Sequence, residues 1–188
     1  MPLILASASP RRAELLAAAG FSFEVDPADV DETPMANESP DGYALRVARD
    51  KARQAHARRG GASPILAADT VVVAGGRILG KPADAADARQ MLRSLSGDVH
   101  EVHTAIVFII SGRETADLVT SRVRFVPLTD AEIDWYVASG EPHGKAGGYA
   151  IQGLGARFID WIEGSWSNVV GLPVASVYRI LKHAGVLS

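Results

Sequence analysis

A chain of 188 residues with 47% hydrophobic and 22% charged side chains can bury one sizeable core, which excludes disorder as its main state and predicts a single domain over residues 1–188. A net charge of −3 argues against a sequence-independent grip on nucleic acid, and the lack of cysteine removes disulfides and thiolate metal sites, so any metal must use oxygen or imidazole. No apolar run nears the roughly 20 residues that span a bilayer and no charged-then-apolar leader opens the sequence, so a cytoplasmic protein with a small phosphorylated ligand is the simplest expectation.

Leu3-Ile4-Leu5-Ala6 suits a short buried strand, and residues 13–19 are strongly helix-forming. The turn between them, Ser7-Ala8-Ser9-Pro10-Arg11-Arg12, has Ser9 as N-cap, Pro10 as first helical residue and Gly20 as the later stop. A helix starting there aims N–H groups and a partial positive charge at the turn, and two guanidinium groups add to it, which is the chemistry of an anion site. The same residues would equally make a well-capped surface helix with solvated arginines.

Phe21 to Val25 alternates as a half-buried strand does, and the acidic stretch from Asp26 to Pro34 follows it. Its two prolines hold Asp29, Asp31 and Glu32 in irregular backbone, either as binding groups or as solvated acids. Ser39-Pro40 repeats the helix-start pattern, and residues 41–59 form a long helix ending at Gly60-Gly61. Ala44, Val47, Ala48, Ala52 and Ala55 make its apolar stripe. Lys51, four residues after Val47, stands nearest that stripe, where it either points inward or snorkels from the helix edge.

Pro64 to Val73 is apolar on both flanks and predicts a strand through the centre of a sheet. A carboxylate there, Asp69, is costly unless paired, hydrogen-bonded or metal-bound, which makes it a functional candidate. Ala74-Gly75-Gly76-Arg77 turns the chain into a hairpin and Gly80-Lys81-Pro82 forms a tight turn. Gly75 to Lys81 fits the G-x-x-x-x-G-K spacing of a P-loop, but Pro82 replaces the magnesium-binding hydroxyl and a hairpin replaces the strand-to-helix unit. A Walker motif is therefore rejected and Lys81 is kept as a phosphate contact.

Residues 84–95 predict a helix, and 102–110 with 116–126 a hairpin turning at Ser111-Gly112. His100 and His103 at its leading edge lack the helical pairing or cysteine neighbours of a metal site, so this hairpin reads as structural. Thr129 and Glu132 form a capping box for a helix ending at Gly140. The glycines from Gly147 to Gly155 around Gln152 indicate close approach to a ligand or tight packing, and the Gln152 amide suits the edge of a base. Gly153-Leu154-Gly155 falls short of a dinucleotide fingerprint. Phe158 to Ile162 alternates as a strand, and Asn168 to Pro173 leads to a final helix ending near Gly185.

With these segments in hand, the sequence resembles the Maf family of nucleoside triphosphate pyrophosphatases over nearly its whole length. The resemblance rests on residues 7–16, Asp31-Glu32, Lys51, residues 67–72, Gly80-Lys81-Pro82, residues 149–153 and Asn168 to Pro173. It implies an elongated α/β fold, a mixed twisted sheet flanked by helices with two lobes and a central cleft, similar to inosine triphosphate pyrophosphatases. It also implies a homodimer. Arg12, Thr70 and Gln152 fall on the specificity positions of the dTTP and UTP branch, and Arg11 stands where the 7-methyl-GTP branch carries tryptophan. Gly164 to Ser167 depart from the aspartate and tyrosines of many relatives.

The activity implied is hydrolysis of dTTP and UTP, with CTP or modified pyrimidine nucleotides as further substrates, to the monophosphate and pyrophosphate. Glu32 and Asp69 would hold Mg2+ or Mn2+, with Asp69 also the best general base. Arg11, Lys51 and Lys81, with the Ser7 and Ser9 hydroxyls, would hold the triphosphate, and Thr70 and Gln152 would read the pyrimidine. The alternative is a nucleotide-binding regulator of cell division or septum formation without turnover.

Overall fold

The computed structural model describes residues 2–187. In chain order it runs β1 (Leu3–Leu5), α1 (Pro10–Ala18), β2 (Phe23–Val25), α2 (Pro40–Arg58), β3 (Ile65–Ala74), β4 (Arg77–Leu79) and α3 (Ala85–Leu95). It continues with β5 (Val99–Ile110), β6 (Arg113–Phe125), α4 (Asp130–Ala138), β7 (Ile159–Glu163), α5 (Trp166–Val170) and α6 (Val174–His183). Short 3-10 turns occupy Ala146–Gly148 and Gly153–Phe158. The seven strands form one mixed sheet in the order β2-β1-β3-β5-β6-β7, with β4 paired on β3, so the class is the mixed α/β sheet flanked by helices that the resemblance implies.

The chain divides into two compact units, the first of residues 1–70, 104–119 and 171–188, the second of residues 71–103 and 120–170. Strands β3, β5 and β6 each contribute residues to both. The first unit packs Leu3, Leu5, Leu16, Leu66, Phe108 and Leu181 into one apolar cluster. Leu16 is fully buried, which fixes α1 against the sheet and stabilises the fold by about 2 kcal/mol. The second unit has its own cluster around Leu92, Phe125, Ile133, Tyr136, Tyr149 and Phe158.

Within the first unit, β1 is the strand where the chain changes direction across the sheet. Parallel β2 lies on one side, with Leu5 beside Val25, and parallel β3 on the other, with Leu5 beside Leu66. In open α/β sheets such a switch point leaves a crevice beyond the carboxyl ends of the strands. Ser7 and the start of α1 follow β1 there, and Asp69 and Thr70 lie three and four residues beyond Leu66 on β3.

The hairpin strands are longer than their sequence pattern predicts, for β5 starts at Val99 and β6 at Arg113. His100 is 2% exposed and takes an apolar residue's place in β5, so its polarity hides the alternation. Helix α5 is a single turn that sequence reasoning leaves as connecting chain. Its start is held by the Ser165 hydroxyl, which accepts from the Asn168 N–H at 3.2 Å. Five residues are too few for a helical period to show.

Candidate active site

Arg12 is one of two buried cations described in the first unit, 9% exposed beside 7% for Lys51. Its Nε donates to the Gly171 carbonyl at 2.8 Å, one terminal nitrogen to Ser7 Oγ at 3.0 Å, and the other to Thr70 Oγ1 at 3.1 Å. This uses the planar fork of a guanidinium as an ammonium could not. Burial pushes its pKa below the ordinary arginine value, and Arg11 does so further, while the carboxylates of Asp69 and Glu32 pull it back up. The Thr70 hydroxyl also meets Thr104 Oγ1 at 2.9 Å and the Gly171 carbonyl at 3.3 Å. Ser7, Arg12 and Thr70 are thus brought together, and Thr70 supports the guanidinium.

Helix α1 begins as predicted, with Pro10 in its first turn and Ser9 at the N-cap position. The Ser9 side chain makes no cap hydrogen bond, however, and its own N–H donates to Ser7 Oγ at 3.3 Å. Ser9 itself is in extended backbone, with φ −74° and ψ 114°. Arg11 is half-buried one position along the helix from Arg12, so the two arginines face different directions.

Asp69 and Thr70 are neighbours on β3 and point to opposite faces of the sheet. Asp69 meets α2: its Oδ1 accepts from Lys51 Nζ at 2.8 Å, and both side chains are about a tenth exposed. Lys51 therefore points inward and does not snorkel. Its stripe of Ala44, Val47, Ala48, Ala52 and Ala55 is fully buried, which carries the lysine in with it. The same ammonium lies 2.6 Å from Glu32 Oε1. Two acids and one lysine thus share one locus, supplied by a loop, a helix and a strand.

The loop carrying Glu32 is held by residues that sequence reasoning did not single out. Tyr43 donates its hydroxyl to the Glu32 carbonyl at 2.8 Å. Burial, then the nearby charges of Asp69 and Glu32, push that phenol up to about 12, so it remains a donor at neutral pH. Arg46 donates to the Thr33 carbonyl at 3.0 Å and pairs with Glu38 at 2.7 Å. The available signal was helical spacing, since Tyr43, Val47 and Lys51 recur every four residues along one face. Of the other loop acids, Asp31 is exposed and accepts from the Thr33 N–H at 2.8 Å, capping its own turn. Asp29 is exposed too, with its backbone tied to Gln54.

In the second unit, Lys81 is exposed in the turn after β4, and the Gly80 carbonyl accepts from Gly147 N–H at 3.0 Å. That turn is thereby joined to the glycine-rich segment that leads to Gln152, which is half-buried. His100 accepts from or donates to the Tyr149 hydroxyl at 2.7 Å, and burial pushes its pKa down to about 4, so the imidazole is neutral near pH 7. His103 meets Glu101 at 3.0 Å.

Among the described residues no group of three or more His, Asp or Glu side chains gathers as a metal cage. Glu32 and Asp69 do converge on one cation, Lys51, so both aim oxygen at a common point. Two hard carboxylate donors match Mg2+ or Mn2+, which keep several waters and lean on one or two protein acids.

A family model described as "Maf-like protein" matches residues 2–184. A dTTP/UTP pyrophosphatase of Anaeromyxobacter dehalogenans strain 2CP-1 is 53% identical, covering 97% of this chain and 94% of its own. Relatives of the same name from Koribacter versatilis and Myxococcus xanthus are 50% and 49% identical, covering 100% and 98% of this chain and 96% and 93% of theirs. A crystal structure of a nucleoside-triphosphatase (dITP/XTP pyrophosphatase) from Mycobacterium abscessus aligns over 98% of both chains with a TM-score of 0.50 at 15% identity, a likeness of fold alone. No helix among the described residues is long and apolar enough to cross a membrane. Matched by that family model over residues 2–184 and by these relatives over nearly its whole length, the chain belongs to the Maf family.

Proposed function

We propose that this chain hydrolyses dTTP and UTP to the nucleoside monophosphate and pyrophosphate. The observation that carries the reading is Lys51 Nζ held by both Glu32 and Asp69, in a chain about half identical to enzymes named dTTP/UTP pyrophosphatase. Such a group combines a positive charge for phosphate oxygens with a carboxylate to take a proton.

In the reaction, a water oxygen attacks one phosphorus of the α–β anhydride and the P–O bridge breaks. Pyrophosphate or the monophosphate departs with the bonding electron pair, and the water's proton passes to a carboxylate. Asp69 suits that last role, for it sits in the middle of a ten-residue strand and its orientation is fixed by Lys51. Lys51 keeps two acids beside a triphosphate from repelling it. Mg2+ or Mn2+, held by Glu32 and Asp69, would neutralise phosphate oxygens and polarise the anhydride. Arg11, Ser7, Ser9 and Lys81 are assigned to the triphosphate, and Arg12, Thr70 and Gln152 to the choice of nucleotide, by resemblance. A homodimer belongs to the same reading on the same ground, and a cytoplasmic location is proposed with it.

The test is incubation with dTTP, UTP, CTP and 7-methyl-GTP in the presence of magnesium, followed by separation of pyrophosphate from orthophosphate. Pyrophosphate formed fastest from dTTP and UTP is the expected result. Orthophosphate would make the chain a phosphatase, and binding without product would leave the nucleotide-responsive regulator.

A further inference from the structure

The segment that carries Gln152 is fastened on both sides of it by one hydrogen-bonded pair, the Tyr136 hydroxyl before it and the Glu141 carboxylate after it. Glu141 follows α4 immediately after Gly140, whose φ of 76° turns the chain out of the helix. Its Oε1 accepts from the Tyr136 hydroxyl at 2.8 Å and from the Gly155 N–H at 2.9 Å, and its Oε2 accepts from the Leu154 N–H at 2.9 Å. The Tyr136 hydroxyl in turn accepts from the Ala150 N–H at 3.2 Å. Three backbone amides, at positions 150, 154 and 155, therefore depend on a Tyr136–Glu141 pair. Gln152 lies between them in extended backbone, with φ −90° and ψ 153°.

The chemistry asks for a carboxylate at this place. Three donors converge on Glu141, and only an ionised acid supplies accepting lone pairs on both oxygens with no donor of its own. Burial pushes its pKa up, but the Leu154 and Gly155 amides, the Tyr136 hydroxyl and Lys145 outweigh this and leave it below the ordinary carboxylate value. The glycines around Gln152 fit the same arrangement. A Cβ on Gly153 would sit 2.6 Å from Glu141 Oε2, and one on Gly155 would sit 2.5 Å from the Ala150 carbonyl and 2.8 Å from the Tyr136 hydroxyl. Gly153 also has φ of 79°, which a side chain would strain. These glycines let the backbone close on Glu141 and Tyr136.

We infer that Glu141, with Tyr136, is a positioning residue for nucleotide selection: it fixes the backbone on either side of Gln152 and so fixes where that amide meets the base. The inference rests on the proposed dTTP and UTP activity. Glu141 touches neither substrate nor reacting atoms, and it acts through Gln152.

The test uses the full chain as wild type, Glu141→Gln, Glu141→Asp, Tyr136→Phe, Gln152→Ala and the double variant Glu141→Gln with Gln152→Ala. kcat and KM are measured for dTTP, UTP and CTP, together with a thermal melt of each. Glu141→Gln puts an amide NH2 against backbone N–H groups. Its preference for dTTP over CTP in kcat/KM should fall on the order of 10-fold, mainly through KM, with kcat changed far less. Tyr136→Phe, which keeps the buried ring and loses only the hydroxyl, should shift the preference the same way and by less. Glu141→Asp should recover part of it. The double variant should rank substrates as Gln152→Ala does, because the two changes act through one side chain. An unchanged ranking in Glu141→Gln and Tyr136→Phe, with activity on every substrate falling in step with the folded fraction, would overturn the inference alone. A wild type that turns over neither dTTP nor UTP would overturn the proposed activity and this inference with it.

Discussion

Lys51 Nζ stands 2.8 Å from Asp69 Oδ1 with both side chains about a tenth exposed, and it lies 2.6 Å from Glu32, which is about a third exposed. The three are not equivalent: the Lys51–Asp69 pair is buried and the Glu32 contact opens toward solvent. Breaking a buried pair by removing one partner costs about 3 to 5 kcal/mol, because the other charge is left without compensation. Lys51→Met should therefore lower the unfolding free energy measured in urea by that amount and abolish turnover, whereas Glu32→Gln should leave stability within about 1 kcal/mol of wild type. Equal losses of stability in the two variants would contradict the asymmetry.

Asp69→Asn keeps the shape of the side chain and a hydrogen-bond acceptor for Lys51, but removes the base. kcat for dTTP should drop by roughly 10² to 10⁴-fold. Near-normal turnover would assign the proton to another group.

Arg12 presents three nitrogens to three acceptors, on Gly171, Ser7 and Thr70. Arg12→Lys keeps the charge and loses the planar fork, leaving at least one of these contacts unmade. A hydrogen bond to a charged group contributes about 1.5 to 3 kcal/mol, so a loss of that size in unfolding free energy is expected. kcat/KM for dTTP should fall more than 10-fold. Full activity in Arg12→Lys would reduce the residue to its charge.

His100 supplies the pH dependence. Burial pushes its pKa down to about 4 from the ordinary 6.5, so between those values the unfolded chain binds the proton and the folded chain does not. The stabilising contribution is complete above pH 6.5 and is lost as pH falls toward 4, amounting to roughly 3 kcal/mol. Chemical denaturation of wild type and His100→Gln across pH 4 to 7 checks this, since glutamine can still meet the Tyr149 hydroxyl. The difference between the two profiles should slope in that window, and parallel profiles would exclude His100 as the cause.

Gln152→Ala should narrow the spread of kcat/KM among dTTP, UTP and CTP more than it lowers kcat for any of them. An unchanged ranking would remove Gln152 from base selection.

What the sequence alone reveals follows from where each signal is stored. Asp69 stands out because a charge inside a continuous apolar strand violates a local rule, and the structure places a lysine against it. The capping box at Thr129 and Glu132 is likewise local and forms as read, with Glu132 Oε2 accepting from the Thr129 N–H at 2.7 Å. Lys51 was ambiguous, since periodicity gives the face of a helix and not whether a long side chain at its margin finds a partner. Its partners lie 18 and 19 residues away, on β3 and in the acidic loop. Glu141 left no local mark at all. Nothing in Gly-Glu-Pro shows that its carboxylate will gather donors from residues 136, 154 and 155, though the density of glycines after it was the visible half of that arrangement.

The acceptors around Arg12 come from residues 7, 70 and 171, and the last of these is a backbone carbonyl near the end of the chain. During synthesis the first serines and β3 emerge long before Gly171 exists. A chain cut short before Gly171 leaves the guanidinium without one of its three anchors. Arg12's surroundings are thus complete only once residue 171 is present, and a product ended before it would be left with an imperfectly satisfied cation in its interior.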